Sequence, residues 1–197
     1  MAPDEPTLSG RNPVRTRAAI LAAARDLVLD AGQRLSIRHV AELAGVTHGT
    51  IYLYFRDKDD LLYQVAESTA HEIVARLRRL PRGIGADEQL RQTFLVLSNA
   101  ALDAPDAFHF IFTLRPARAT AAPAMSPLAA VLEAPLVDAV AAVLADGDDI
   151  APAIARALLL SIVGFVEAER AGITTRTELQ AIADQTIVLI MAGLRVS

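Results

Sequence analysis

The chain has no cysteine and no tryptophan, and aromatic residues make up only 5% of its 197 positions. Without cysteine there is no disulfide framework, no thiolate metal site and no cysteine nucleophile. Few aromatics within a hydrophobic fraction of 53% means that much of the apolar content is alanine, which favours helix over strand. Alternating strand patterns and internal repeats are also lacking. The four histidines, His39, His48, His71 and His109, show no i,i+4 pairing and sit beside no acidic cluster, so a zinc or iron site finds no support. Gly-x-Ser-x-Gly is missing. Gly83-Ile84-Gly85 carries Glu88 where a dinucleotide loop needs its third glycine. Asp146, Gly147, Asp148 and Asp149 form too short a run for a calcium loop. No metal, no cofactor and no catalytic residue is expected, and the chain does not read as an enzyme. The longest uncharged apolar run toward the C-terminus, Ala157–Val166, falls well short of the roughly 20 residues that span a bilayer. Met1 to Pro6 lacks the basic and apolar regions of a signal peptide. The expectation is a cytoplasmic protein with no membrane partner.

What is present is a charge gradient. The formal net charge is −4, yet from Arg11 to Lys58 eight basic residues face four acidic ones. From Leu61 onward eleven arginines face fifteen acids. Local sign decides whether a surface attracts phosphate, so the N-terminal quarter is the candidate for nucleic acid.

Helical signals run from end to end, and about nine helices are expected. Residues 1–11 read as a flexible arm. Asn12-Pro13 is a cap followed by proline at a first helical position. Ile20, Ala24, Leu27, Val28 and Ala31 then form a helical stripe that Gly32 is placed to close. Ser36 starts a second helix, with Leu35 and Val40 as a hydrophobic staple, and Gly45 ends it. Thr47 caps a third, short helix, where Val46 and Ile51 repeat the staple. Two short helices joined by a glycine-containing turn form a helix-turn-helix, here 36–55. Asp57 opens a long fourth helix with Asp59 and Asp60 in its first turn. Pro81 to Gly85 breaks the chain and separates a head, 12–80, from a body, 81–197. The body reads as helices near 86–103, 105–114, 127–145, 151–171 and 176–194. Pro135 predicts a kink or split in the third of these, and Arg115 to Pro127 reads as a mobile connection.

Residues 36–58 run Ser-Ile-Arg-His-Val-Ala-Glu-Leu-Ala-Gly-Val-Thr-His-Gly-Thr-Ile-Tyr-Leu-Tyr-Phe-Arg-Asp-Lys. This stretch, followed by Leu61-Leu62, resembles the tetracycline-repressor (TetR) family of transcriptional regulators. The residues themselves point the same way. Ile51 and Phe55 share a face and anchor the short helix. That leaves Thr47, His48, Thr50, Leu53 and Tyr54 outward, where a polar first turn can enter a major groove. Gly49 lets backbone approach DNA. The resemblance implies contact roles for Arg38, Thr47, His48, Gly49, Thr50, Tyr52, Tyr54 and Lys58, with Arg11, Arg15 and Arg17 as looser additions. It implies an all-α fold, a three-helix DNA-binding head and a helical ligand-binding and dimerisation body. The implied function is that of a dimeric repressor, released from a palindromic DNA operator by a small ligand.

In the body, Phe94, Leu97, Phe108, Phe112, Leu132 and Leu136 either line a cavity for an apolar or aromatic ligand or are ordinary core. His109, Arg115 and Asn99 are polar groups that would orient such a ligand. Leu158, Ile162 and Phe165 form one C-terminal stripe; Leu179, Ile182, Leu189 and Ile190 form another. The two stripes suit a four-helix contact with a second copy. A helical ligand-binding protein or enzyme with no DNA-dependent role is the competing reading.

Overall fold

The computed structural model describes residues 12–29, 35–113, 126–144 and 149–194. Among these are nine helices and no strand: α1 (Pro13–Leu29), α2 (Ile37–Ala44), α3 (His48–Tyr54), α4 (Lys58–Leu77), α5 (Ala86–Asp103), α6 (Pro105–Thr113), α7 (Pro127–Leu144), α8 (Ala151–Arg170) and α9 (Arg176–Leu194). The N-terminal arm 1–11, Ala31, Gly32, most of the Arg115–Pro127 connection and the Asp146–Asp148 turn lie outside the described residues.

The helix ends follow local chemistry. The Val14 amide donates to Asn12 Oδ1 at 3.0 Å, which caps α1 ahead of Pro13. Ser36 occupies the cap position of α2 without a side-chain bond, so that helix start rests on the buried pair Leu35 and Val40. Gly45 ends α2 at φ 64°, and the Val46 amide turns back to the Ala41 carbonyl at 2.9 Å. Asp57 caps α4 by accepting from the Asp60 amide at 2.7 Å.

Two apolar cores result, and they meet inside α4 rather than at the Pro81 break. Leu61, Leu62 and Val65 join α1, α2, Ile51 and Phe55 in the head core. Ala66, Ala70, Ile73 and Leu77 join α5, α7 and α8 in the body core. The head core also takes in Ala104 and Ala107 at the start of α6, and Phe110 packs against both cores.

Pro135 does not split α7, which runs unbroken from Pro127 to Leu144. Its missing N–H removes one helical hydrogen bond, to the Val131 carbonyl. The flanking Leu132, Leu136, Ala139 and Val140 are all buried and hold both halves of the helix in the body core. Glu133 adds a two-pronged bond to Arg156 of α8, at 2.8 and 3.3 Å. By length and composition alone α7 and α8 would each pass for a membrane span, although their longest uncharged runs would not. Here they pack on each other and on α5.

At the start of α5, Arg91 and Gln92 donate to Glu88. The hydrogen bond from Arg91, then that from Gln92, lowers the Glu88 carboxyl to about 2. A depressed carboxylate adds stability that is present above the ordinary carboxylate range and is lost as pH falls through the lowered value. An NMR titration of Glu88 should therefore give a midpoint of about 2, and Arg91→Ala should raise it toward the ordinary range. Truncating the fully buried Ile51 to alanine should cost about 2–5 kcal/mol in urea unfolding.

Candidate nucleic-acid interface

A helix of seven residues has no stability of its own, so α3 must be held by what it packs on. Ile51 and Phe55 are fully buried in the head core and supply that hold. The Arg17 guanidinium lies over the Phe55 ring, 5.5 Å from its centre, and donates to Gln64 of α4. Arg17 thus braces the anchor from outside, a part the sequence did not reveal because its partners are 38 and 47 positions away. Arg25 of α1 pairs with Glu72 of α4 and fixes the same two helices further along.

With its inner side fixed, α3 presents its opening turn outward. Thr47 caps the helix by accepting from the Thr50 amide at 3.2 Å, and the two hydroxyls lie 2.7 Å apart. His48, Gly49, Tyr52 and Leu53 are exposed, Leu53 to 78%. The His48 ring meets Tyr52 edge-on at 5.2 Å, which orders both. A Cβ placed on Gly49 would touch nothing within 4 Å. The protein interior therefore gives no reason for glycine there. Tyr54 is only half exposed and leans on the head core, because three helical steps from Ile51 return it toward the anchored side.

The charged groups around α3 are available. The Arg38 side chain is 86% exposed, and its sole ion pair among the described residues is with Glu42, one turn along the same helix, at 3.1 Å. Such an exposed pair contributes little and yields readily to a phosphate. Lys58 is exposed in the first turn of α4 and forms no ion pair among the described residues. A cation there opposes the helix dipole. Thr47, His48, Gly49, Thr50 and Tyr52 share one short helix, with Arg38 and Lys58 on the helices either side of it. Arg15 is exposed on α1, and Arg11 lies outside the described residues.

The body arranges its expected residues differently. Phe94, Leu97, Phe108, Leu132 and Leu136 are fully buried against one another, and Phe112 is half-buried beside Phe108, their ring centres 5.1 Å apart. None of these six lines a groove that is found in the body. That groove, of about 540 Å³, opens between α4, α5 and α7. His109 Nδ1 meets Glu167 of α8 at 2.8 Å, and the Asn99 side chain bonds Gln180 of α9 at 3.3 Å. Neither lines that groove, and Arg115 lies outside the described residues. Of the C-terminal stripes, Leu158, Ile162 and Leu179 are buried within the chain, so they are core and not a free face. Phe165 and Ile190 are half-buried, whereas Ile182 and Leu189 are exposed, together with Leu160 and Val188. Periodicity marked the apolar helices but not which of their two apolar sides turns inward.

The sequence matches the family model "Bacterial regulatory proteins, tetR family" over residues 20–65. Three solved structures illustrate what the whole fold is similar to. A possible TetR family transcriptional regulator from Streptomyces coelicolor A3(2) is 22% identical, with 91% of this chain and 98% of that one covered and a TM-score of 0.68. BioQ with its double-stranded DNA operator is 24% identical, with 90% and 98% covered and a TM-score of 0.63. A TetR variant from Acinetobacter baumannii AYE in complex with minocycline is 21% identical, with 94% and 97% covered and a TM-score of 0.62. No curated protein matches the sequence significantly. Residues 20–65 thus match the tetR family of bacterial regulatory proteins, and the fold as a whole is similar to that of solved regulators described as TetR-family.

Proposed function

We propose that this chain is a cytoplasmic, dimeric, sequence-specific repressor without enzymatic activity, released from a near-palindromic operator by a small molecule. The observation that carries the reading is the outer face of α3. It combines exposed hydrogen-bonding side chains with a glycine that the protein's own packing does not require, between two available cations. A major groove uses each of these: His48 and Thr50 read base edges, Gly49 admits a close approach, and Tyr52, Arg38 and Lys58 meet phosphates. Leu53 has thymine methyl groups as its apolar partners in such a groove. The operator-bound BioQ structure supports this reading by fold alone.

Dimerisation places two copies of α3 in successive grooves, roughly 34 Å or a multiple apart. The exposed Leu160 and Leu189 on α8 and α9 suit the contact. So does Gly164, exposed in the middle of α8, where helix propensity disfavours glycine and a Cβ would meet nothing within 4 Å of the same chain. A close-packed second helix gives that glycine a purpose. Ligand in the body releases DNA only through unequal affinity for two arrangements of the heads. The levers are α4 and α6, because each contributes to both cores. An activator would use the same contacts, its sign set by where the operator lies.

Selection of bound duplexes from a random pool, with the mass in solution measured alongside, tests the reading. A dyad-symmetric consensus and a dimer are expected; no enrichment would refute it. His48→Ala should change the bases selected. Tyr52→Phe and Lys58→Ala should each weaken binding to every sequence, and Lys58→Ala should reduce the slope of log affinity against log salt by about 1. Leu160→Glu combined with Leu189→Glu should give monomers by light scattering while retaining the helical circular-dichroism spectrum.

A further inference from the structure

The turn between α3 and α4 is held by a chain of polar groups that reaches back to α1. Asp57 accepts from the Asp60 amide at 2.7 Å, and Asp60 Oδ2 accepts in return from the Arg56 amide at 3.0 Å. This reciprocal pair resembles a capping box and closes the turn that separates Phe55 from Lys58. The other oxygen of Asp60 accepts from Gln64 Nε2 at 3.2 Å, one turn further along α4. Gln64 Oε1 accepts from Arg17 of α1. The same guanidinium lies over the Phe55 ring, 5.5 Å from its centre. A carboxylate on one side and a guanidinium on the other fix which way the Gln64 amide faces.

Arg15 and Arg17 both stand exposed near the start of α1, but they are held differently. Arg15 makes no hydrogen bond or ion pair among the described residues. Arg17 lays its flat face on an aromatic ring and gives an N–H to an amide oxygen. A guanidinium does both at once and an ammonium does not. Neither partner is a carboxylate, so charge pairing is not what keeps Arg17 there. The helix that it steadies has only two buried anchors, Ile51 and Phe55, and base-edge hydrogen bonds tolerate little rotation about them.

We infer that Arg17, Gln64 and Asp60 are positioning residues for DNA recognition: they set the rotation of α3 about Phe55 and the place of Lys58, and Arg17 is not itself a phosphate contact. The inference rests on the DNA-binding reading above and adds residues that the outer face of α3 does not contain. Gln64 is the diagnostic member. It is uncharged, half-buried and bonded on both sides, so its effect on DNA passes through the groups that it holds.

Fluorescence anisotropy on the full chain, with the duplex selected from the random pool and a shuffled duplex over a series of salt concentrations, tests this. Gln64→Ala should weaken binding to the selected duplex by at least about threefold and leave the shuffled duplex unaffected. Arg17→Ala should do the same with the salt slope unchanged, in contrast to Lys58→Ala. Arg17→Lys should behave like Arg17→Ala, because it keeps the charge and loses the planar contact. The double variant Arg17→Ala with Gln64→Ala should bind no more weakly than the weaker single variant, as for residues acting through one chain. Without DNA, Gln64→Ala should speed hydrogen exchange of the Tyr52–Phe55 amides while those of α7 and α8, and the helical circular-dichroism spectrum, stay as they are. A salt slope lowered by about 1 in Arg17→Ala and restored in Arg17→Lys would make Arg17 a phosphate contact and overturn the inference. So would unchanged discrimination in Gln64→Ala, or effects of the two substitutions that simply add. Unchanged exchange in Gln64→Ala sinks the inference alone, whereas a wild-type chain that selects no duplex sinks the regulator reading beneath it.

Discussion

Everything the head can do depends on two side chains driven into its core. Ile51 and Phe55 turn a segment too short to stay helical by itself into a fixed projection. Their burial sets the rotation of α3, and the rotation decides which residues face outward. The threonine cap sets where the helix begins, and so where its free amides point. The surface cations then need no internal architecture of their own, only proximity. This division of labour lets the outward residues vary without disturbing the fold that holds them.

The second organising constraint is that neither core is complete without helices belonging to the other. α4 is apolar on the head side at Leu61 and Val65 and on the body side at Ile73 and Leu77. α6 begins with small residues that fit beneath the head and continues with Phe108 and Ile111 in the body. Ion pairs of Asp106 with Arg170 and of Asp103 with Arg176, and a hydrogen bond between His109 and Glu167, tie α6 and the segment just before it to the last helices. Two packed rods, α4 and α6, thus run between the body and the head, each contributing to both cores.

How legible this was in the sequence differs by scale. The helices, their caps at Asn12, Thr47 and Asp57, and the left-handed Gly45 follow from local chemistry, and local chemistry is what a sequence displays directly. The anchoring of α3 was equally readable, because Ile51 and Phe55 are one turn apart. Relations between distant segments were not. The division of α4 between two cores, the Arg17 brace over Phe55 and the closure of Phe94 and Phe108 into solid packing all depend on which helix lies beside which. α8 and α9 carry apolar residues on more than one side, so periodicity proved burial without saying in which direction. Pro135 misled for a related reason: its local penalty is real, but the buried neighbours that override it come from elsewhere in the chain.

The two alanines at the start of α6 have a consequence for how such chains are assembled over time. Because Ala104 and Ala107 complete the head while belonging to the body's stretch of sequence, the two parts are not interchangeable modules. A recombination event cut at the turn Pro81 to Gly85 after α4 would bring in a head whose underside met an unfamiliar surface. A body exchanged at that point in this chain would have to present two equally small side chains at that one place.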